Sequence, residues 1–149
     1  MLLDYYAYTL DAGLLAKFMP LLSGTLDFFG SHYGDVSKPG SKLTLFPTQA
    51  LETYQCPNWP TNQSDCPTND HPTVAALHVL TERALELPGA TKEQKKQWAA
   101  LRAALPPVPM IVEDNNVTVV SPYSTYPDAY HLQDQQTRDD TKPVSFMIK

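Results

Sequence analysis

The spacing of apolar residues predicts a mainly helical chain. Residues 2–10 carry apolar side chains at helical spacing, and the pattern breaks at residues 11–13. Residues 14–18 are expected to form only a short turn. A wide apolar stripe then begins at Pro20, a residue that suits the first position of a helix, and continues to the glycines in 30–34. The first part of the chain therefore predicts one short helix and a longer one that starts at Pro20.

Two further helices are predicted in the second half of the chain. The first covers residues 72–87 and is ended by Pro-Gly at 88–89. The second covers residues 92–105 and is ended by consecutive prolines. Thr91 and Gln94 have the spacing of a capping box, in which each side chain bonds the backbone N–H of the other residue. These signals define the helix ends more sharply than apolar spacing alone.

Strand patterns are short and few. Residues 42–46 alternate polar and apolar side chains, which predicts a strand. Residues 110–112 and 117–120 are rich in β-branched side chains and flank Asp-Asn-Asn at 114–116, which predicts a β-hairpin. The polar, proline-rich stretch 47–71 is predicted to be a loop, and loops of this length in compact domains are usually functional or disordered.

Composition narrows the class of protein. The 149 residues suit one domain or a piece of a larger one, and 42% hydrophobic with 18% charged residues is typical of a globular chain. A net charge of −5 without a stripe of Lys and Arg argues against a nucleic-acid partner. No uninterrupted apolar run is long enough to predict a membrane span. The sequence has no P-loop and no Gly-x-Gly-x-x-Gly dinucleotide motif, and no cofactor is expected.

Two cysteines and two sequons indicate an oxidising, extracytoplasmic compartment. Cys56 and Cys66 are close enough in sequence to close a small disulfide loop, and Asn62 and Asn116 each begin an N-glycosylation sequon. The alternative is a cytosolic protein with two free thiols and chance sequons. No signal-peptide core follows Met1, so the natural N-terminus is expected to lie upstream. The cysteines have no further partners at zinc spacing beyond His71, so a metal site is not expected.

Glu52 is the residue that points most directly to chemistry. It follows the predicted strand at 42–46 and precedes Tyr54 and Trp59. A glycosidase needs a carboxylic acid whose pKa is raised by apolar and aromatic neighbours. The alternative is an ordinary solvated glutamate. The predicted site consists of Glu52 as the catalytic acid, with Gln49, Tyr54, Trp59, Asp70 and His71 as substrate-binding residues.

Several of these residues also have a purely structural interpretation. Asp70 precedes a predicted helix, so it is either a second carboxylate or an N-cap. His78 lies on the apolar face of that helix, where a hydrogen-bonded core histidine competes with a proton shuttle. Tyr54, Trp59 and Tyr123 could stack on sugars or anchor loops by burying their rings.

Three stretches of the chain resemble the catalytic domain of glycoside hydrolase family 95-like proteins. The resemblance covers about residues 1–125, and the order and loop lengths agree as well as the motifs. It implies an (α/α)6 toroid of antiparallel helix hairpins with its active site at the mouth. The matching stretches are 20–22 with 28–33, 49–53, and 72–78 with 85–88 and 93–109.

The resemblance also implies an activity. Members of this family invert the anomeric centre, so one acid protonates the glycosidic oxygen of a fucoside or related sugar. By resemblance that role falls on Glu52. A second carboxylate, roughly 6.5–9.5 Å away, would activate water. It is expected on segments that this chain does not contain.

The chain is expected to be an incomplete catalytic domain. Residues 1–127 would form part of the toroid, and residues 128–149 would be a divergent, poorly ordered tail. A partial ring would expose apolar faces of the helices in 20–33 and 72–87, which favours self-association or contact with the rest of the toroid. The alternative function is a non-enzymatic helical interaction module that binds a partner through residues 47–71.

Overall fold

The computed structural model of the protein describes residues 1–34, 38, 40, 42–48, 66–112 and 116–124. Within them the chain is mainly helical and has a small antiparallel sheet, which confirms the predicted class. The toroid remains a proposal. The elements are α1 (Leu2–Thr9), α2 (Ala12–His32), α3 (His71–Glu86), α4 (Lys92–Ala104), β1 (Met110–Val112) and β2 (Thr118–Val120).

The chain forms two compact units. The first comprises Met1–Leu43 with Leu77–Leu105, and the second comprises Thr44–Ala76 with Pro106–Lys149. The boundary falls within α3, so the first turns of that helix belong to the second unit. The predicted tail 128–149 lies outside the described residues, and the predicted division at residue 127 stays a prediction.

The break between α1 and α2 falls at Leu10 and Asp11, so only the first residue of the predicted break at 11–13 lies between the helices, and the predicted turn at 14–18 is part of α2. Leu10 adopts a left-handed conformation with φ of 53°, and its N–H donates to the carbonyl of Tyr6 at 2.8 Å. Asp11 begins α2, because its carboxylate accepts from the N–H of Leu14 at 2.9 Å. The two helices pack against each other.

The prediction that a new helix starts at Pro20 is wrong. Pro20 lies inside α2, which is continuous from Ala12 to His32. A proline leaves the carbonyl four residues earlier without an amide donor, and that residue here is the exposed Ala16. Water can therefore bond this carbonyl. The helix face opposite Pro20 is buried both before and after the proline. Its buried residues are Leu15, Phe18, Leu22 and Leu26.

Helix α2 is also long and apolar enough, by length and composition, to cross a membrane. The sequence predicted no such span. In the structure α2 packs against both α1 and α4, and it carries the exposed charges Lys17 and Asp27. Length and composition alone do not distinguish a spanning helix from the core helix of a globular unit.

Helix α4 supplies the other side of the first unit's core. Its predicted capping box is present: Thr91 Oγ1 accepts from Gln94 N–H at 3.1 Å, and Gln94 Oε1 accepts from Thr91 N–H at 2.9 Å. The amide of Gln94 also donates to Ser23 Oγ on α2 at 3.3 Å. Trp98 is 1% exposed, and none of the described residues accepts a hydrogen bond from its indole N–H.

The C-terminal end of α4 is covered by Lys42 and Leu43. The Lys42 ammonium donates to the carbonyls of Ala103 at 2.7 Å and Leu105 at 3.4 Å, and the Leu43 N–H donates to the carbonyl of Ala104 at 2.8 Å. A cation at this position is favourable because the last carbonyls of a helix lack intrahelical donors.

One ion pair joins α1 to α3 on the surface of the first unit. The Asp4 carboxylate accepts from Arg83 Nη1 at 2.6 Å and from the amino group of Met1 at 2.7 Å. The Met1 amino group first, and then Arg83, lower the pKa of Asp4 to about 2. The carboxylate therefore stays ionised above that pH, and the pair loses its attraction only as the pH falls through about 2.

The second unit contains the predicted β-hairpin. β1 and β2 are antiparallel, with Met110 opposite Val120, Ile111 opposite Val119 and Val112 opposite Thr118. The predicted strand at 42–46 is wrong, since this segment has no regular secondary structure and does not join the sheet. Its Leu43 and Leu45 are buried, as the alternation predicts. Their backbone groups bond other partners, namely Ala104 and Asn69.

Candidate functional site

Most of the predicted site lies outside the described residues. Glu52, Gln49, Tyr54 and Trp59 all fall in the segment 49–65, as do Cys56 and Asn62. Their roles stay predictions. Among the predicted residues, the structure places Asp70, His71, Cys66 and Asn116, and it shows how the chain is held on either side of the segment 49–65.

The residues that flank the segment 49–65 are hydrogen-bonded to each other. The Thr48 N–H donates to the carbonyl of Pro67 at 3.2 Å. The Leu45 N–H donates to Asn69 Oδ1 at 2.8 Å, and the Asn69 N–H donates back to the Leu45 carbonyl at 2.9 Å. Asn69 accepts the left-handed conformation (φ of 53°) that this reciprocal pair requires, which asparagine tolerates better than most residues. The two ends of the segment are thus fixed side by side.

Asp70 lies next to this pair and is 2% exposed. Its Oδ1 accepts from the Thr73 N–H at 2.9 Å, and its Oδ2 accepts from Thr48 Oγ1. The Val74 N–H donates to the Asp70 carbonyl at 3.0 Å, so Asp70 is the N-cap of α3. This geometry favours the capping interpretation over a second catalytic carboxylate, because both carboxylate oxygens are engaged within the protein. Its contact with substrate stays a prediction.

A third stretch of chain, residues 121–124, joins the same region. The His71 N–H donates to the Pro122 carbonyl at 2.8 Å, and the Ser124 N–H donates to the Thr68 carbonyl at 3.0 Å. Ser121 is buried, and its hydroxyl donates to the Tyr123 carbonyl at 2.7 Å. Tyr123 is itself buried, which favours an anchoring role over stacking on a sugar.

Within residues 121–124, sequence reasoning offered only Tyr123 as a candidate for burial and did not identify the segment as part of the core. The apolar period ends at Ser121, and the segment has neither helical nor strand spacing. The only available signal was the pairing of a proline with a large aromatic residue at 122–123, which are both buried in the structure.

Cys66 is buried and disulfide-bonded. Its predicted partner Cys56 lies outside the described residues, so the pairing stays a prediction. Asn116 is exposed, with a left-handed φ of 61°, and Thr118 of its sequon is exposed as well. Its glycosylation stays a prediction, and its position leaves the side chain accessible.

The described part of the chain contains no group of three or more His, Cys, Asp or Glu residues that could hold a metal ion. His71 and His78 are both half-buried on α3. In this region the Asp70 carboxylate and the hydroxyls of Thr48 and Ser121 are bonded within the protein. It is suited to holding an adjacent segment in place, whereas the proposed reacting group, Glu52, lies on that segment.

Comparison of the chain with protein-family models, with curated proteins and with solved structures finds no match. The resemblance to family 95-like hydrolases therefore rests on the motifs themselves.

Proposed function

We propose that the chain belongs to a lineage of carbohydrate-active hydrolases that invert the anomeric centre, with Glu52 as the general acid. The observation that supports this function best is the fixed frame on both sides of the segment 49–65. A catalytic group must be held close to its productive geometry by rigid neighbours. The bonds among Leu45, Thr48, Pro67 and Asn69 supply rigid neighbours at both ends of the segment that carries Glu52.

The chemistry follows from the residues around Glu52 in the sequence. Tyr54 and Trp59 offer apolar ring faces to a sugar and would raise the pKa of a nearby carboxyl by excluding water. A protonated Glu52 would donate to the departing glycosidic oxygen. By the resemblance, the base that activates water is expected on segments beyond this chain. Asp70 is not proposed for that role, since both of its oxygens are engaged. The proposed substrate is a fucoside or a related sugar.

The test is hydrolysis by the full-length gene product carrying Glu52→Gln. With fucosylated oligosaccharides, whose leaving groups need protonation, kcat should fall by about 10²- to 10⁴-fold. With a dinitrophenyl fucoside the loss should be much smaller, because that leaving group departs without a proton. Glu86→Gln is the matched control, since Glu86 is exposed at the end of α3. Turnover of the oligosaccharides at the wild-type rate by Glu52→Gln would refute the acid assignment.

The compartment belongs to the same proposal. We place the full-length protein in the secretory pathway or outside the cell, as a glycoprotein with a disulfide between Cys56 and Cys66. The disulfide-bonded Cys66 and the accessible Asn116 support this placement.

A second candidate is a non-enzymatic helical module that binds a partner through residues 47–71. It is favoured by the engagement of Asp70 and by apolar side chains that stay exposed on α2, such as Leu21 and Phe28. In that case neither the wild type nor Glu52→Gln would hydrolyse a glycoside, whereas substitutions in 47–71 would abolish binding of the partner.

A further inference from the structure

We propose that β1 pairs with β1 of a second copy of this chain, antiparallel about Ile111, to form a sheet of four strands. The surface concerned is the outer edge of β1, which is the side of Met110–Val112 that faces away from β2. The inference is independent of the proposed hydrolase, because it concerns only the hairpin of the second unit.

The hydrogen-bonding pattern of the hairpin shows which backbone groups face the outer edge. The Ser121 N–H donates to the Pro109 carbonyl at 3.0 Å, and Ile111 lies opposite Val119 two residues further along. Bonded pairs in antiparallel strands recur at every second residue, so Ile111 and Val119 form the next bonded pair. The backbone groups of the residues on either side of Ile111 therefore point away from β2.

Met110 and Val112 are those two residues, and each presents its N–H and C=O at the outer edge of β1. None of the described residues forms a backbone hydrogen bond with these groups. The side chains are exposed as well, by 50% for Met110 and 64% for Val112. A strand edge with unpaired backbone groups and apolar side chains is a template for another strand. This edge therefore fits an extended, apolar partner strand.

The symmetry of the edge favours a second copy of β1 as that strand. A two-fold axis at Ile111 places Met110 of one copy opposite Val112 of the other. Both of these pairs are of the bonded type, so every outward backbone group of β1 gains a partner. β1 carries no charged side chain, and therefore no like charges meet across the axis.

The side chains support the same register. Ile111 lies on the same face of the hairpin as the buried Val119, because residues directly opposite each other point to one face. The two copies of Ile111 would be a non-bonded pair, in which side chains approach most closely. The apolar row that begins at Val119 would then continue into the second copy. A two-stranded hairpin is only marginally stable by itself, so the added strands would stabilise it.

The dimer should be weak because the paired segment is short. Stable interfaces bury about 1,200–2,000 Å² in total, which is more than a pair of three-residue strands provides. We therefore expect a reversible dimer whose fraction rises with the concentration of the protein.

Hydrogen exchange of the full chain separates the outer edge of β1 from the inner one. The Val112 amide should exchange about tenfold more slowly in concentrated than in dilute protein, because it is bonded only in the dimer. The Ile111 amide should be protected at both concentrations, since it bonds β2 in each copy. The Leu101 amide of α4, in the first unit, is the reference and should not depend on concentration. Equal exchange of the Val112 amide at both concentrations would refute the pairing.

Proline substitutions test which edge of the hairpin is used. Met110→Pro removes an N–H that points outward from β1, so each dimer loses two hydrogen bonds. The dissociation constant measured by sedimentation equilibrium should rise about tenfold or more. Val120→Pro is the matched control, because Val120 lies opposite Met110 and its N–H points outward from β2. This control should dimerise as the wild type does, and protection of the Ile111 amide shows that the hairpin persists in both variants.

A charge exchange at Ile111 tests the two-fold register. Ile111→Lys and Ile111→Glu should each be monomeric, because like charges would meet at the axis. An equal mixture of the two variants should recover the dimer, because opposite charges then meet. Val79→Lys and Val79→Glu, at an exposed position on α3, form the control pair and should each dimerise as the wild type does. Failure of the mixture to recover the dimer would refute pairing about Ile111.

Other occupants and other surfaces give different results. A wild-type chain that stays monomeric at every concentration would overturn the proposal. A dimer that survives Met110→Pro but is lost in Leu21→Lys would place the interface on the exposed face of α2. A monomer whose Val112 amide becomes protected only when a foreign apolar peptide is added would assign the edge to another protein.

Discussion

Asp11, Asp70 and Thr91 show how single polar side chains determine where helices begin. Each accepts from an N–H in the first turn, which otherwise lacks a partner. Thr91 and Asp70 were recognisable as caps from local sequence, because a capping residue precedes its helix directly. The burial of Asp70 was not predictable, because it depends on Thr48, which is distant in sequence and lies beside Asp70 only in the folded chain.

The capping box of α4 gives a prediction at this scale. Thr91→Ala should destabilise the protein by about 1 kcal/mol, because the Gln94 N–H loses its acceptor. Gln97→Ala, on the exposed side of the same helix, should change the free energy of unfolding by no more than about 0.5 kcal/mol. Urea unfolding followed by far-ultraviolet circular dichroism measures both. Equal effects of the two substitutions would contradict the role of the box.

At the scale of the element, α2 shows the limit of reading helix boundaries from residue types. The sequence located the end of α2 near residue 32, because glycines mark it, and a break in the apolar pattern at residues 11–13. It placed a start at Pro20, because proline is common in the first turn. The buried stripe on the other side of the helix, including Phe18 and Leu22, continues through the proline. Tertiary packing thus outweighed the local signal.

The two faces of α2 should respond differently to truncation. Leu26 is 1% exposed, so Leu26→Ala should cost about 2–5 kcal/mol through lost apolar burial and the cavity left behind. Leu21 is 67% exposed, so Leu21→Ala should cost at most about 0.5 kcal/mol. Urea unfolding in the absence of detergent measures both. Similar losses of unfolding free energy in the two variants would show that the face of α2 that carries Leu26 does not pack in a core.

At the scale of the whole molecule, the sequence predicted all four helices of the described part and the hairpin, but not the two units. Periodicity reports one element at a time, whereas the units depend on which elements share contacts. Residues 121–124 show the same limit, since their burial comes from bonds to Thr68 and His71 and not from any period of their own. The candidate acid was proposed from local composition, and the structure contributes the frame that flanks its segment.

The disulfide gives a prediction for the two units. Cys66 lies in the second unit, and pairing with Cys56 would close a short loop worth about 2–3 kcal/mol. The double substitution Cys56→Ala with Cys66→Ala should therefore speed exchange of the Asn69 amide. The Leu101 amide of the first unit should keep its protection. Equal loss of protection at both amides would contradict a local effect of the bridge.

The buried indole of Trp98 has a practical consequence for spectroscopy. The chain contains only two tryptophans, and the other is Trp59. In a Trp59→Phe background Trp98 is the single tryptophan, buried in the first unit, and no residue of the described part accepts from its indole N–H. Its emission at short wavelength would follow melting of that unit alone, separate from whatever happens around Glu52.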